Sequence, residues 1–216
     1  MSKLAKYYDD KVKLYKPSKI RELKISELLP ANLKNLKILD IGCADGTFGG
    51  KLVKQSAVVC GVDISPLAVG IAKKKLKDAF VTDLNNQKLP FKTKTFDLII
   101  ASEVIEHLYN PNNLLVESKR VLRDNGRLIL TTPNFLYWGN RIKFLFGNFK
   151  YEKSGVFDES HIHFYTYKSL KSNLEQAGFK VIKENHVYAG SGLLKNIKNL
   201  SPSMFAYQIA IVFGKK

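Results

Sequence analysis

Asp40-Ile41-Gly42-Cys43-Ala44-Asp45-Gly46-Thr47 places a carboxylate and three small residues at alternate positions, straight after the apolar run Lys37–Ile41. A strand that enters such a turn and then a helix lets its backbone approach a ligand where a Cβ would clash. A helix starting near Thr47 adds unpaired N–H groups and the positive end of its dipole. The next apolar run, Ala57–Asp63, ends in Asp63, and the run after it, Phe80–Asp83, ends in Asp83 followed by Leu84. In an open α/β sheet, ligands bind beyond the carboxyl ends of the strands. A carboxylate at Asp63 can accept from both hydroxyls of a ribose there. One at Asp83 can accept from the exocyclic amine of an adenine lying across the sheet. Two acids at successive strand ends and a glycine turn describe an adenosine site.

The spacing narrows the cofactor. Counting from Gly42, a G-x-G-x-x-G fingerprint needs glycine at Ala44 and at Thr47, and no G-x-x-x-x-G-K-[ST] loop is present. What remains is D-x-G-x-(G/A)-x-G.

These residues must be positioned by a regular frame. Runs at Lys37–Ile41, Ala57–Asp63, Phe80–Asp83, Phe96–Ser102 and Gly126–Thr132 read as strands; Thr47–Gln55, Pro66–Lys77 and Pro111–Leu122 read as helices between them. The strands are near-continuously apolar, as in a parallel sheet covered on both faces. Ser169–Ala177 reads as a helix stopped by Gly178, and Phe179–Ile182 and Phe205–Phe213 as the last strands. The expected fold is therefore α/β: a Rossmann-like, doubly wound sheet of seven strands, mostly parallel with an antiparallel last strand. N-terminal helices and a lid insertion complete it. One domain is expected, divided into an N-terminal cap (1–34), a cofactor-binding core (35–132), a lid insertion (133–165) and a C-terminal helix and strand pair (166–216).

Composition excludes other classes. The hydrophobic content of 45% and charged content of 25% are those of a globular chain, not a disordered one. Cys43 and Cys60 are too few for a disulfide framework or a zinc site. The N-terminus lacks the apolar core of a signal peptide, and no run reaches the roughly 20 apolar residues of a spanning helix. A cytoplasmic location is the expectation. The charge of +16 favours anionic contacts. Only Arg21, Arg120, Arg123, Arg127 and Arg141 are arginines, however. A lysine-rich solvated surface is thus favoured over a nucleic-acid partner.

The D-x-G-x-(G/A)-x-G segment resembles motif I of class I S-adenosylmethionine-dependent methyltransferases. The likeness continues through Gly61-Val62-Asp63-Ile64-Ser65, Phe96-Asp97-Leu98-Ile99-Ile100 and Leu122–Leu128. It implies S-adenosylmethionine as cofactor, held by Asp40, Gly42, Ala44, Gly46, Asp63, Ile64, Asp83, Leu84 and Ser102. Ala44 departs from the commoner glycine. Thr132–Arg141, with its P-N-F-x-x-W-x-N-R pattern, resembles the MetW-like group; His161-Ile162-His163-Phe164-Tyr165-Thr166 resembles the type 11 and type 23 groups. Such relatives methylate small molecules, quinone precursors and glycan sugars.

Ser102-Glu103-Val104-Ile105-Glu106-His107-Leu108 resembles the S-E-x-x-E-H segment of ubiquinone-pathway O-methyltransferases and of small-RNA 3′-end methyltransferases. In those enzymes two acids and a histidine hold a divalent metal. On a helix, Glu103, Glu106 and His107 would share one face, so they are the candidate Mg²⁺ ligands, with His161 or His163 as a further one. The other reading makes His107 a base or orienting group in a metal-free pocket. His107, His161 and His163 are the candidate catalytic residues, and they argue for an oxygen acceptor, because a hydroxyl needs a base or a metal. The leading function is methyl transfer to a hydroxyl of a small molecule or glycan or lipid precursor. The alternatives are an RNA methyltransferase and a non-catalytic cofactor-binding regulator. His186 is expected to be structural. The aromatic, basic stretch Phe135–Phe146 is expected to be a lid helix packed on its own domain; the sharper reading is a lid over an apolar or lipid-linked acceptor, and a shallow helix making a peripheral membrane contact is a further one.

Overall fold

The computed structural model describes residues 3–14, 18–188 and 201–216. Residues 1–2, 15–17 and 189–200 of the expected cap and C-terminal segment lie outside them. Eight strands form one sheet in the order β3-β2-β1-β4-β5-β8-β6, with β7 paired to β8. They are β1 (Lys37–Ile41), β2 (Val58–Asp63), β3 (Asp78–Val81), β4 (Phe96–Ser102), β5 (Leu122–Pro133), β6 (Phe179–Glu184), β7 (Val187–Tyr188) and β8 (Ala206–Lys215). Strands β1 to β5 pair in parallel; β8 is antiparallel to β5, β6 and β7. The short β7 is the one strand the periodicity did not indicate.

Helices cover both faces. On one face α2 (Lys19–Leu28), α3 (Thr47–Val53) and α4 (Pro66–Ala72) bury Ile25, Leu28, Leu52 and Val69 against Ile38, Val59, Leu98 and Ile100. On the other, α5 (Pro111–Val121) and α7 (Tyr167–Gln176) bury Leu114, Leu115, Leu170 and Leu174 against Leu39, Ile99 and Leu128. Each buried side chain of this kind contributes about 1.5–3 kcal/mol. Helix α1 (Lys3–Leu14) lies across α4, and α6 (Trp138–Leu145) sits in the lid insertion. A single turn, α8 (Pro202–Phe205), leads into β8. No helix among the described residues is long and apolar enough to cross a membrane.

Helix α4 stops at Ala72, earlier than the expected Lys77, and the reason lies in three glycines. A Cβ on Gly46, Gly49 or Gly61 would fall 3.3 Å or less from Leu76. The early stop lets Leu76 drop into the space those glycines leave between α3 and β2. Strand β3 correspondingly begins at Asp78 and ends at Val81, so Asp83 stands in the loop beyond it. Strand β5 starts at Leu122 through a register shift opposite Phe96–Leu98, with Leu122 folded over Gly126.

His186 is buried and structural, as its lack of motif implied. Its Nδ1 accepts the amide of Ala210 at 3.2 Å, where the β8 ladder changes partner from β6 to β7. Its Nε2 therefore carries the proton and faces Glu184 at 3.2 Å. Burial holds its pKa below the usual histidine value, partly opposed by Glu184. Below about pH 6.5 the unfolded chain takes up a proton that the folded chain refuses, so stability falls as pH falls. Urea unfolding from pH 8 to pH 5 is expected to show a smaller loss in His186→Gln than in the unaltered protein. Equal losses would remove His186 as the cause.

Candidate active site

The carboxyl ends of β1 to β5 open into a cavity of about 920 Å³, at the upper end of the range for small-molecule sites, about 300–1,000 Å³. The motif turn forms one wall. Gly42 has φ +70°, and a Cβ there would lie 2.5 Å from Val104. Ala44 also adopts a left-handed conformation, φ +46°, which costs an alanine about 1–2 kcal/mol. Its amide donates to Asp63 at 2.9 Å, which holds it there. Asp63 accepts a second amide from Ser65 at 2.9 Å. Burial raises its pKa, against the pull of these amides.

Gly42, Ala44, Asp63, Ile64, Asp83, Leu84 and Ser102 all line the cavity. Gly46 lies behind it, its missing Cβ replaced by Ala72 at 2.9 Å. Asp40 also lies behind, buried, with a carboxylate oxygen 3.3 Å from where a Gly49 Cβ would stand. Burial, then the charge of Asp63, pushes its pKa up to about 7. A cation in the cavity would restore its charge. Asp83 is held by the amides of Asn85 and Asn86, which fix its loop at the wall of the cavity.

The second cluster departs from the expected geometry. Glu103, Glu106 and His107 do not share a helix face. Glu103 follows the last residue of β4 with φ +55°, and only Ile105–His107 form a 3-10 turn. The Val104 side chain fills the space above Gly42 instead. Glu103 turns to Thr131, whose hydroxyl donates at 3.0 Å, and to Arg21 of α2 at 3.6 Å.

Glu106 points inward, fully buried, and neither carboxylate oxygen has a hydrogen-bond partner among the described residues. Burial and the nearby Glu103 charge raise its pKa. Its carbonyl accepts the amides of Ile162 and His163, both at 3.0 Å, which brings the lid strand against the turn. His107 and His161 consequently meet, ring centroids 4.7 Å apart. His107 Nδ1 faces the Ser160 carbonyl at 3.1 Å, and His161 Nδ1 faces the Val156 carbonyl at 3.0 Å. Carbonyls only accept, so each Nδ1 donates, and neither Nε2 has a hydrogen-bond partner among the described residues. Burial, then His161, lowers the His107 pKa to about 4, so it is neutral at pH 7. His163 does not join them; its ring lies by Tyr165.

Glu106, His107 and His161 each offer a ligand atom within 4.8 Å of the others. Two imidazoles anchored through Nδ1 and one unpartnered carboxylate fit a borderline cation such as Zn²⁺. They do not fit Mg²⁺, which favours oxygen ligands.

The N-terminal helices supply wall residues that no motif marked. Leu4, Tyr8, Lys11 and Arg21 line the cavity, with Tyr207 opposite. Asp9 ties α1 down by accepting from the Ser65 hydroxyl and from the Leu67 amide at 3.1 Å, at the start of α4. Lys11 reaches Asp158 at 3.7 Å.

Comparison with known proteins agrees with this geometry. The type 23 "Methyltransferase domain" family profile matches residues 14–184. An uncharacterized protein of Methanocaldococcus jannaschii is 35% identical over 196 residues, covering 83% of this chain and 74% of that one. A ubiquinone biosynthesis O-methyltransferase of Pelagibacter ubique is 32% identical over 111 residues, but the match covers only 47% of this chain and 44% of that enzyme. The fold is shared with a crystallised SAM dependent methyltransferase from Archaeoglobus fulgidus (TM-score 0.66, 19% identity, 97% of this chain and 98% of that one). It is also shared with one from Mesorhizobium loti (TM-score 0.66, 15% identity, 90% and 97%). The chain belongs to the type 23 methyltransferase domain family, within the class I S-adenosylmethionine-dependent methyltransferases.

Proposed function

We propose that the chain transfers the methyl group of S-adenosylmethionine to a hydroxyl of a small molecule or a glycan or lipid precursor. The observation that carries this is the pair of imidazoles, His161 buried and His107 half-buried, beside the buried Glu106 carboxyl, at the wall of the cavity. An amine acceptor need only be neutral, whereas a hydroxyl needs a group to take or hold its proton. The Pelagibacter relative, by its name an O-methyltransferase, points the same way.

S-adenosylmethionine supplies an already activated methyl, so the chain's work is binding, orientation and proton handling. Asp63 accepts from the ribose hydroxyls, and Asp83 from the adenine amine. Gly42 and Ala44 present bare backbone to the amino-acid end, and Asp40 balances its cationic charge. Tyr8 and Tyr207 close the acceptor side against water. His107 takes or orients the acceptor proton, with His161 packed edge-on against it.

The three-ligand cluster favours a second reading of the same step. A cation bound by Glu106, His107 and His161 would lower the pKa of the acceptor hydroxyl. The neutral state of His107 suits that role better than unaided proton removal from an alkyl hydroxyl. Labelled methyl transfer is tested on a catechol, a simple phenol, an alkyl alcohol and a primary amine, after chelation and with Zn²⁺ added back. Hydroxyl methylation lost on chelation and restored by the added metal supports the oxygen acceptor and the metal-assisted reading. Hydroxyl methylation indifferent to chelation leaves His107 as the proton acceptor. Methylation of the amine alone overturns the oxygen assignment.

A further inference from the structure

The lid insertion turns two sets of side chains in opposite directions. Phe135, Phe144, Phe157 and Phe164 stack inward, with centroids 4.8–5.9 Å apart, and anchor the segment. Ile142, Leu145, Phe146, Phe149 and Tyr151 turn outward and are 47–81% exposed. Leu145 and Phe146, at the tip, are the barest at 81% and 74%. The tip is a built feature. Helix α6 ends there, Gly147 takes φ +69°, and the amides of Gly147 and Asn148 return to Phe144 and Lys143 at 2.9 and 2.8 Å. No packing demands a glycine, since a Cβ on Gly147 would meet nothing within 4 Å.

The charges around these side chains identify what they meet. Arg141, Lys143, Lys150 and Lys153 are exposed within the same stretch, and Glu152 is its only acid. Apolar side chains projecting from a collar of cations match a bilayer, with anionic headgroups above an apolar interior. A second copy fits poorly: a symmetric contact would set the same four cations against each other, between chains of +16. The surface is also continuous with the cavity, because Lys153, Ser154 and Gly155 lie on its rim.

We infer that residues 141–153 form a docking surface for an anionic lipid bilayer, with Leu145 and Phe146 inserted and the four cations at the headgroups. Docked this way, the cavity mouth faces the membrane, where an apolar acceptor would be found. The docking itself does not depend on which acceptor is methylated.

The test is co-sedimentation of the full chain with vesicles of phosphatidylcholine alone, or mixed with phosphatidylglycerol, at low and high salt. The protein is expected to bind the mixed vesicles, to release at high salt and to ignore phosphatidylcholine alone. Leu145→Ser/Phe146→Ser, at solvent-exposed positions, is expected to weaken binding about tenfold or more while leaving the unfolding midpoint unchanged. Lys143→Gln/Lys150→Gln weakens it as well. The inference is overturned if the unaltered chain ignores the mixed vesicles. It is also overturned if the double serine variant binds them as well as the unaltered chain, which would leave only the diffuse charge of the surface. A dimer that the serine variant dissolves, without vesicle binding, would assign the patch to a second copy instead.

Discussion

Asp63→Ala is expected to lower the affinity for S-adenosylmethionine and for its demethylated product at least about a hundredfold. A carboxylate has room for about four hydrogen bonds. Asp63 accepts the amides of Ala44 and Ser65, each at 2.9 Å, and lines the cavity. Hydrogen bonds to a charged acceptor are worth about 1.5–3 kcal/mol each. Losing two ribose hydroxyls therefore costs about 3 kcal/mol or more, at about 1.4 kcal/mol per tenfold. The turn suffers too, because the Asp63 carboxylate is what holds Ala44 at φ +46°. Asp63→Asn, which keeps one acceptor, should lose less. Calorimetric titration of variants with an unchanged far-ultraviolet spectrum reads the effect. Undiminished affinity in Asp63→Ala would remove it from the ribose site.

His107→Ala separates proton handling from binding. It is expected to lower the turnover of a hydroxyl acceptor by about 10²–10⁴-fold while changing cofactor affinity by less than about twofold. The separation follows from position: His107 stands beyond β4 with its Nδ1 committed to Ser160, away from the motif turn. His161→Ala should act on the same step, and the double variant should be little worse than either single one. Residues that act as a unit are strongly non-additive. Unchanged turnover in His107→Ala would end its assignment, and a parallel loss of cofactor binding would make the residue structural.

The gathering of the glycine turn and the strand-end acids around one cavity was readable in the chain. These residues are local to strand ends, and the apolar runs of β1, β2 and β4 announce where those ends fall. Asp63 and Asp83 needed only the parallel order of the strands to be brought beside Gly42. The acceptor half was harder. The string from Glu103 to His107 has the spacing of a helix face, but β4 runs up to Ser102, and Glu103 must then turn left-handed at φ +55° for Val104 to cover Gly42. That demand is tertiary and has no local signature. The meeting of His107 with His161 depends on the Glu106 carbonyl receiving two amides from the lid, a contact across more than fifty residues. For the same reason His161, and not His163, faces the turn. The roles of Tyr8, Asp9 and Arg21 escaped the sequence because their partners lie far along the chain, at the start of α4 and in the turn after β4.

The measurement that tests the central claim most directly is calorimetric titration of the unaltered, folded chain with S-adenosylmethionine and with S-adenosylhomocysteine. The geometry of Gly42, Ala44, Asp63 and Asp83 predicts saturable micromolar binding of both at one site per chain. Absence of binding by either, from a chain that unfolds cooperatively, would contradict the reading of this cavity as a methyl-donor site.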